Sequence, residues 1–221
     1  MLGNNDIWAK ICKIQASLKK VVLLTEQVGE TETLIQVTLE QRNALDHIIR
    51  ATSRELKVAK MDASPAEEDA NYIQENYDKA LGHVYRGFFD ACDWSCIVLR
   101  EKVTETLQPY TTECITKVLP DYYSRLRPRL DQLTKEVSRI REAKDIADNQ
   151  NIIPQVDTYE TTIMEMIDLV DELKTKTPSL EEYTEVAETE RKKAELKGWV
   201  KNISLVLLGA IISVILSELF G

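Results

Sequence analysis

Apolar residues recur along this chain at spacings of three and four, and almost no stretch alternates with period two, the pattern of amphipathic helices. Ile7, Ile11, Ile14, Leu18, Val21, Val22 and Val28 mark a first helix, which Gly29 and the polar stretch 30–33 break or bend. Leu34, Val37, Leu45, Ile48 and Ile49 carry the pattern to about Val58. A turn over 61–66 follows: Ser64 is a natural N-cap, Pro65 suits the first helical position, and Glu67 completes a capping box. The next helix runs to about Leu107. Pro109, Pro120 and Pro128 then predict kinks or short breaks, since each removes a backbone donor. A polar helix runs on to about Asp148, and 148–153 reads as a loop. Pro154 opens a helix with Val156, Tyr159, Ile163, Ile167, Val170 and Leu173 on one side. Thr177–Ser179 reads as a turn, and a charged helix continues from Leu180. The fold class is all-α: a helical bundle over 1–176, a charged stalk or inter-subunit seam over 177–201, and an apolar helix over 202–221.

That last helix changes the picture. Ile203 to Phe220 carries one charge, Glu218, and at 1.5 Å per residue spans about 27 Å, the thickness of a bilayer's hydrocarbon core. Arg191, Lys192, Lys193, Lys197 and Lys201 crowd its N-terminal flank, with Trp199 at the expected interface. The segment predicts a single transmembrane helix, with the preceding body cytoplasmic. No N-terminal signal peptide is expected, because 8–28 is charged and amphipathic. Gly209, Ser213 and Ser217 recur every four residues, a small-residue stripe of the kind that associates membrane helices.

A net charge of −9 argues against coating nucleic acid or an anionic membrane through the general surface, and leaves room for a small basic site. Cys12, Cys92, Cys96 and Cys114 are too few and too irregular for a disulfide framework, and no paired spacing supplies a metal site. They read as packing residues; no metal or cofactor is expected. Gly-rich phosphate loops, G-x-S-x-G and H-E-x-x-H are missing, and no catalytic residue is assigned.

The chain has two histidines, both in the pattern A-L-x-H-x-x-R: His47 with Arg50, and His83 with Arg86. They lie equidistant from Pro65, so an antiparallel hairpin turning there sets them at one height on facing helices. His and Arg three apart share a face, and Ala44 and Ala80 permit close contact. Three meanings stand open. The cluster satisfies carboxylates such as Asp46, Asp90 or Asp93; or it binds an anionic ligand such as a nucleotide, with Tyr85 offering a stacking surface; or it is catalytic. For the last, Arg42–His47 is similar to the R-x4-H motif of HEPN-type ribonucleases, while Lys79–His83 lacks the matching arginine.

A helical body, an anionic-ligand cluster and one pore-prone helix together resemble the membrane-effector subunit of the Hailong-type anti-phage defence system. The resemblance implies a homotetramer. A DNA oligomer made by a partner nucleotidyltransferase would hold it inactive, and loss of that ligand would open an ion-conducting pore. By that likeness His47, Arg50, His83 and Arg86 contact the ligand at a bacterial inner membrane; Tyr85 joins them from the stacking reading, and Gly209, Ser213 and Ser217, from the small-residue stripe, line the pore or associate helices. An effector switched on by a cyclic oligonucleotide has the same layout. A membrane-tethered ribonuclease and a tail-anchored scaffold are the alternatives.

Overall fold

The computed structural model describes residues 2–32, 34–57, 66–144 and 152–220, without the side chains of 2–4, 66–68, 210–211 and 213–220. Among the described residues the regular structure is helical throughout: α1 (Leu2–Gly29), α2 (Ile35–Glu55), α3 (Ala66–Leu107), α4 (Thr112–Val118), a π-helical turn (Tyr122–Leu126), α5 (Arg127–Glu142), α6 (Ile152–Lys174) and α7 (Thr177–Phe220). The chain is all-α. Ser64, Pro65 and Glu67, the predicted capping box, lie outside the described residues or side chains, as does 145–151.

Two compact units form. The first comprises Met1–Pro109 and Asp121–Thr175, the second Tyr110–Pro120 and Lys176–Gly221. In the first, α3 is central, and α1, α2, α5 and α6 pack on it. The buried face of α1 is Ile7, Ile11, Ile14, Leu18, Val21, Thr25 and Val28, an alternation of four and three. Thr25 fits that apolar stripe because its hydroxyl donates to Ser95 Oγ at 2.8 Å, and Ser95 donates to the carbonyl of Ala91 at 2.7 Å. The core is anchored by aromatic rings: Tyr85 and Phe89 lie 4.6 Å apart, and Tyr159 meets Phe89 edge-on at 5.1 Å.

The breaks have local causes. α1 ends at Gly29, where an added Cβ would meet Val98 Cγ1 of α3 at 2.4 Å. Glu30 follows at φ 54°, and its carboxylate takes Lys102 of α3 at 2.7 Å and Lys174 of α6. The π-helical turn precedes Pro128, which has no N–H to give the carbonyl of Ser124; Leu126 N–H reaches instead to Asp121 O at 3.3 Å. The expected continuation of this polar helix to Asp148 stops at Glu142, with Ala143 as its cap. Lys144 then lies 4.7 Å over the Phe89 ring. Pro154 sits inside α6 two residues after its start, and Pro178 inside the first turn of α7, so Thr177–Ser179 is helical rather than a free turn.

In the second unit, α4 packs on the start of α7. Cys114 Sγ lies 3.6 Å from both Leu180 O and Thr184 Oγ1, and Leu180 is fully buried. From Glu185 to Gly209, α7 is exposed at every position. Its charged part is braced along the helix by Glu190–Lys193 at 2.9 Å and Arg191–Glu195 at 3.0 Å. The apolar segment Ile203–Phe220 continues the same helix, and the side chains of Ser213, Ser217 and Glu218 lie outside those described. Gly209 stands in open space. Among the described residues, no helix is long and apolar enough to cross a membrane.

Candidate functional site

α2 and α3 run antiparallel, with Arg54 bonded to Asp69 at 2.6 Å near one end and Glu40 beside His83 near the other. Between them the two imidazoles stack, with centroids 5.3 Å apart and planes 17° from parallel. The close approach depends on small residues. Ala44 and Ala80 are buried, and a Cβ on Gly87 would lie 3.2 Å from Glu40 Cβ.

Each ring is oriented through Nδ1. His47 Nδ1 meets Asn76 Oδ1 at 2.9 Å, while the Asn76 amide N–H donates to Tyr72 O at 2.8 Å. The Asn76 oxygen is therefore an acceptor, so His47 carries its proton on Nδ1. His83 Nδ1 lies 2.7 Å from Glu40 Oε2, a carboxylate whose other oxygen accepts from Gln36 at 3.2 Å. Among the described residues neither Nε2 has a hydrogen-bond partner.

Arg86 completes the cluster imperfectly. Its Nη2 sits 2.9 Å from the same His83 Nδ1 that meets Glu40, and its Nε lies 3.5 Å from Glu40 Oε2 without making a hydrogen bond. That Nε is the one buried side-chain nitrogen or oxygen among the described residues without a hydrogen-bond partner. Arg50 does not join. It pairs with Asp46, one turn back on α2, at 2.7 Å. Gly82 holds the equivalent place on α3 and offers Arg86 nothing, so Arg86 turns to Glu40 instead.

Tyr85 is not brought to the cluster. It is fully buried, packed at a tilt on Phe89, and donates to Gln155 of α6. Asp93 accepts from Tyr159, whose phenol is raised by burial and then by that bond, and it pairs with Arg141 at 3.2 Å. Asp90 is pushed up by burial, and Lys144 beside it is pushed down by burial. Arg42 bonds its neighbour Asn43 at 3.3 Å and makes no contact with His47. Residue-type reasoning missed Glu40, Asn76 and Gln36. The first two carry a signal: each lies seven residues, two helical turns, before a histidine, Glu40 before His47 and Asn76 before His83.

Among the described residues no group of His, Cys, Asp and Glu forms a metal site. Cys92 and Cys96 are buried thiols, both raised by burial, and Cys114 is buried as well; Cys12 is exposed. No protein-family model matches the chain, and neither a curated protein nor a solved structure matches it.

Proposed function

We propose that this chain is a membrane effector. Its helical body binds an anionic ligand, a nucleotide or DNA oligomer, and its C-terminal helix forms an oligomeric, ion-conducting pore. The observation that carries the reading is on α7. Leu205, Val206, Leu207 and Leu208 follow one another around the helix at about 100° each, and each is at least 59% exposed. No side of the helix there is covered by this chain. An apolar surface facing all directions needs lipid or other copies of itself. Trp199 and the preceding lysines suit the boundary of such a layer.

The ligand half rests on Arg86, His47 and His83: a part-exposed guanidinium beside two stacked imidazoles supports a reading as a complement to phosphate oxygens. Arg50 is retained as an outer contact, reached if its pair with Asp46 opens. The Hailong-type likeness supplies the remaining parts of the proposal: a tetramer, a partner nucleotidyltransferase, and gating by loss of the ligand. Carbonate extraction of membranes tests the anchoring. The full chain stays in the pellet, and release into the supernatant would contradict it.

A further inference from the structure

We infer that Lys197, Gly198 and Lys201 on α7 form a binding site for the phosphate of an anionic membrane lipid. The inference rests on the membrane reading above and names the lipid that meets the helix at its boundary.

Along the charged part of α7 the cations first have carboxylates within one turn. Lys192 faces Glu188 at 4.0 Å, Lys193 faces Glu190 at 2.9 Å, and Arg191 faces Glu195 at 3.0 Å. Glu195 is the last acid before Glu218. Lys197 and Lys201 come after it, both exposed, and no Asp or Glu stands three or four residues from either. The helix therefore gives them no ionic partner. They stand four residues from one another, and Lys197 stands four from Lys193, a like-charge spacing that destabilises a helix in water. An anion lying across Lys197 and Lys201 removes that repulsion.

Gly198 points the same way. Glycine weakens a helix interior relative to alanine, and no packing in this chain calls for it here, since an added Cβ would meet nothing within 4 Å. It leaves bare backbone about 60° around the helix from Lys201 and about 100° from Lys197, where a headgroup can approach closely. Trp199, 63% exposed, leaves from the far side of the helix.

The level fits a headgroup. Lys201 precedes Ile203 by about 3 Å of helix and Lys197 precedes it by about 9 Å. The polar layer of a bilayer occupies about 5–8 Å on each side of the hydrocarbon core, so the two lysines bracket it. A zwitterionic lipid brings its own cation to its phosphate. An anionic lipid such as phosphatidylglycerol does not, and its phosphodiester is open to both ammonium groups.

The test uses the full chain reconstituted into vesicles of equal parts phosphatidylglycerol and phosphatidylcholine. The vesicles are floated, dissolved in neutral detergent, and the lipid retained by the repurified chain is measured by mass spectrometry. Phosphatidylglycerol is expected to be enriched at least about fivefold over phosphatidylcholine, the contribution of one lysine near an anionic surface. Lys197→Gln with Lys201→Gln should return the ratio to that of the vesicles, and Gly198→Leu should lower it with the charge unaltered. Lys192→Gln with Lys193→Gln, which removes lysines already paired, should keep the enrichment. Equal retention of the two lipids, or enrichment undiminished in either of the first two variants, would overturn the inference while leaving the membrane reading in place. Enrichment lost equally in the Lys192→Gln, Lys193→Gln chain would show diffuse attraction instead of a site, and would overturn it as well. Displacement of the retained lipid by millimolar glycerol phosphate would assign the site to free phosphate and overturn the lipid. Failure of the full chain to float with the vesicles would overturn the membrane reading itself, and the inference with it.

Discussion

His47 of α2 bonds Asn76 of α3, and His83 of α3 bonds Glu40 of α2, so each histidine reaches across to the residue seven before the other. The exchange clasps the helices at two levels. It also leaves one negative charge, on Glu40, as the carboxylate that Arg86 pairs with.

Glu40 therefore competes with any anionic ligand for Arg86. Glu40→Gln keeps the size and one acceptor oxygen and removes the charge. Affinity for an oligonucleotide should rise about tenfold, the equivalent of one charge-assisted bond, with a modest loss of thermal stability. Calorimetric titration at fixed pH measures it. Weaker binding in the variant would show that Glu40 supports the ligand rather than opposing it.

At the end of α1 the left-handed residue is Glu30, while Gly29 is required by contact. Gly29 has no positive φ, yet a Cβ there would meet Val98 at 2.4 Å. Gly29→Ala should destabilise the protein by about 1–3 kcal/mol, the usual cost of overpacking, despite alanine's better helix propensity. Chemical denaturation gives the value; an unchanged midpoint would mean that α3 yields freely at this point.

Glu30 predicts a pH dependence with a defined sign. Lys102, and then Lys174, hold its carboxyl down from the ordinary 4.5 to about 2. A depressed acid adds stability above its unfolded value, and that contribution is lost as pH falls towards the folded value. The site is exposed, so the effect is small and salt-sensitive. Thermal melts of Glu30→Gln should fall below those of the unaltered chain near pH 7 and converge with them between about pH 4.5 and 2.

The apolar stretch of α7 predicts an asymmetric response to charge. Ile212→Lys places an ammonium near the middle of the segment and should cost about 2.5–3.5 kcal/mol of membrane insertion. Lys201→Gln, at the flank, should leave insertion nearly intact. Partition between membrane and soluble fractions reads both. Equal retention of all three chains would argue that protein contacts, not lipid, cover the helix.

The helices of the first unit were legible because their buried stripes are regular, as in Ile7–Val28 and Val156–Leu173. That the two histidines share one height was legible as well, since equal distances from the turn place two residues level whatever the turn's detail; that their rings stack was not. The fate of the arginines was not. It depends on one position, Asp46 in one repeat and Gly82 in the other, which decides whether a guanidinium is captured on its own helix. Tyr85 was misjudged for a similar reason. Two residues beyond His83 on a helix is about 200° around it, and that faces the core with Phe89. The proline-rich stretch announced a break; that the break takes the form of a π-helical turn is a geometry that periodicity does not record.

The central claim is that the helix at 203–220 conducts ions across a membrane. Membrane potential in bacteria producing the full chain, compared with its Ile212→Lys variant at matched levels, tests it most directly. The account predicts depolarisation by the full chain and a normal potential with the variant. An undisturbed potential with the full chain demonstrably in the membrane, or depolarisation undiminished in the variant, would contradict it.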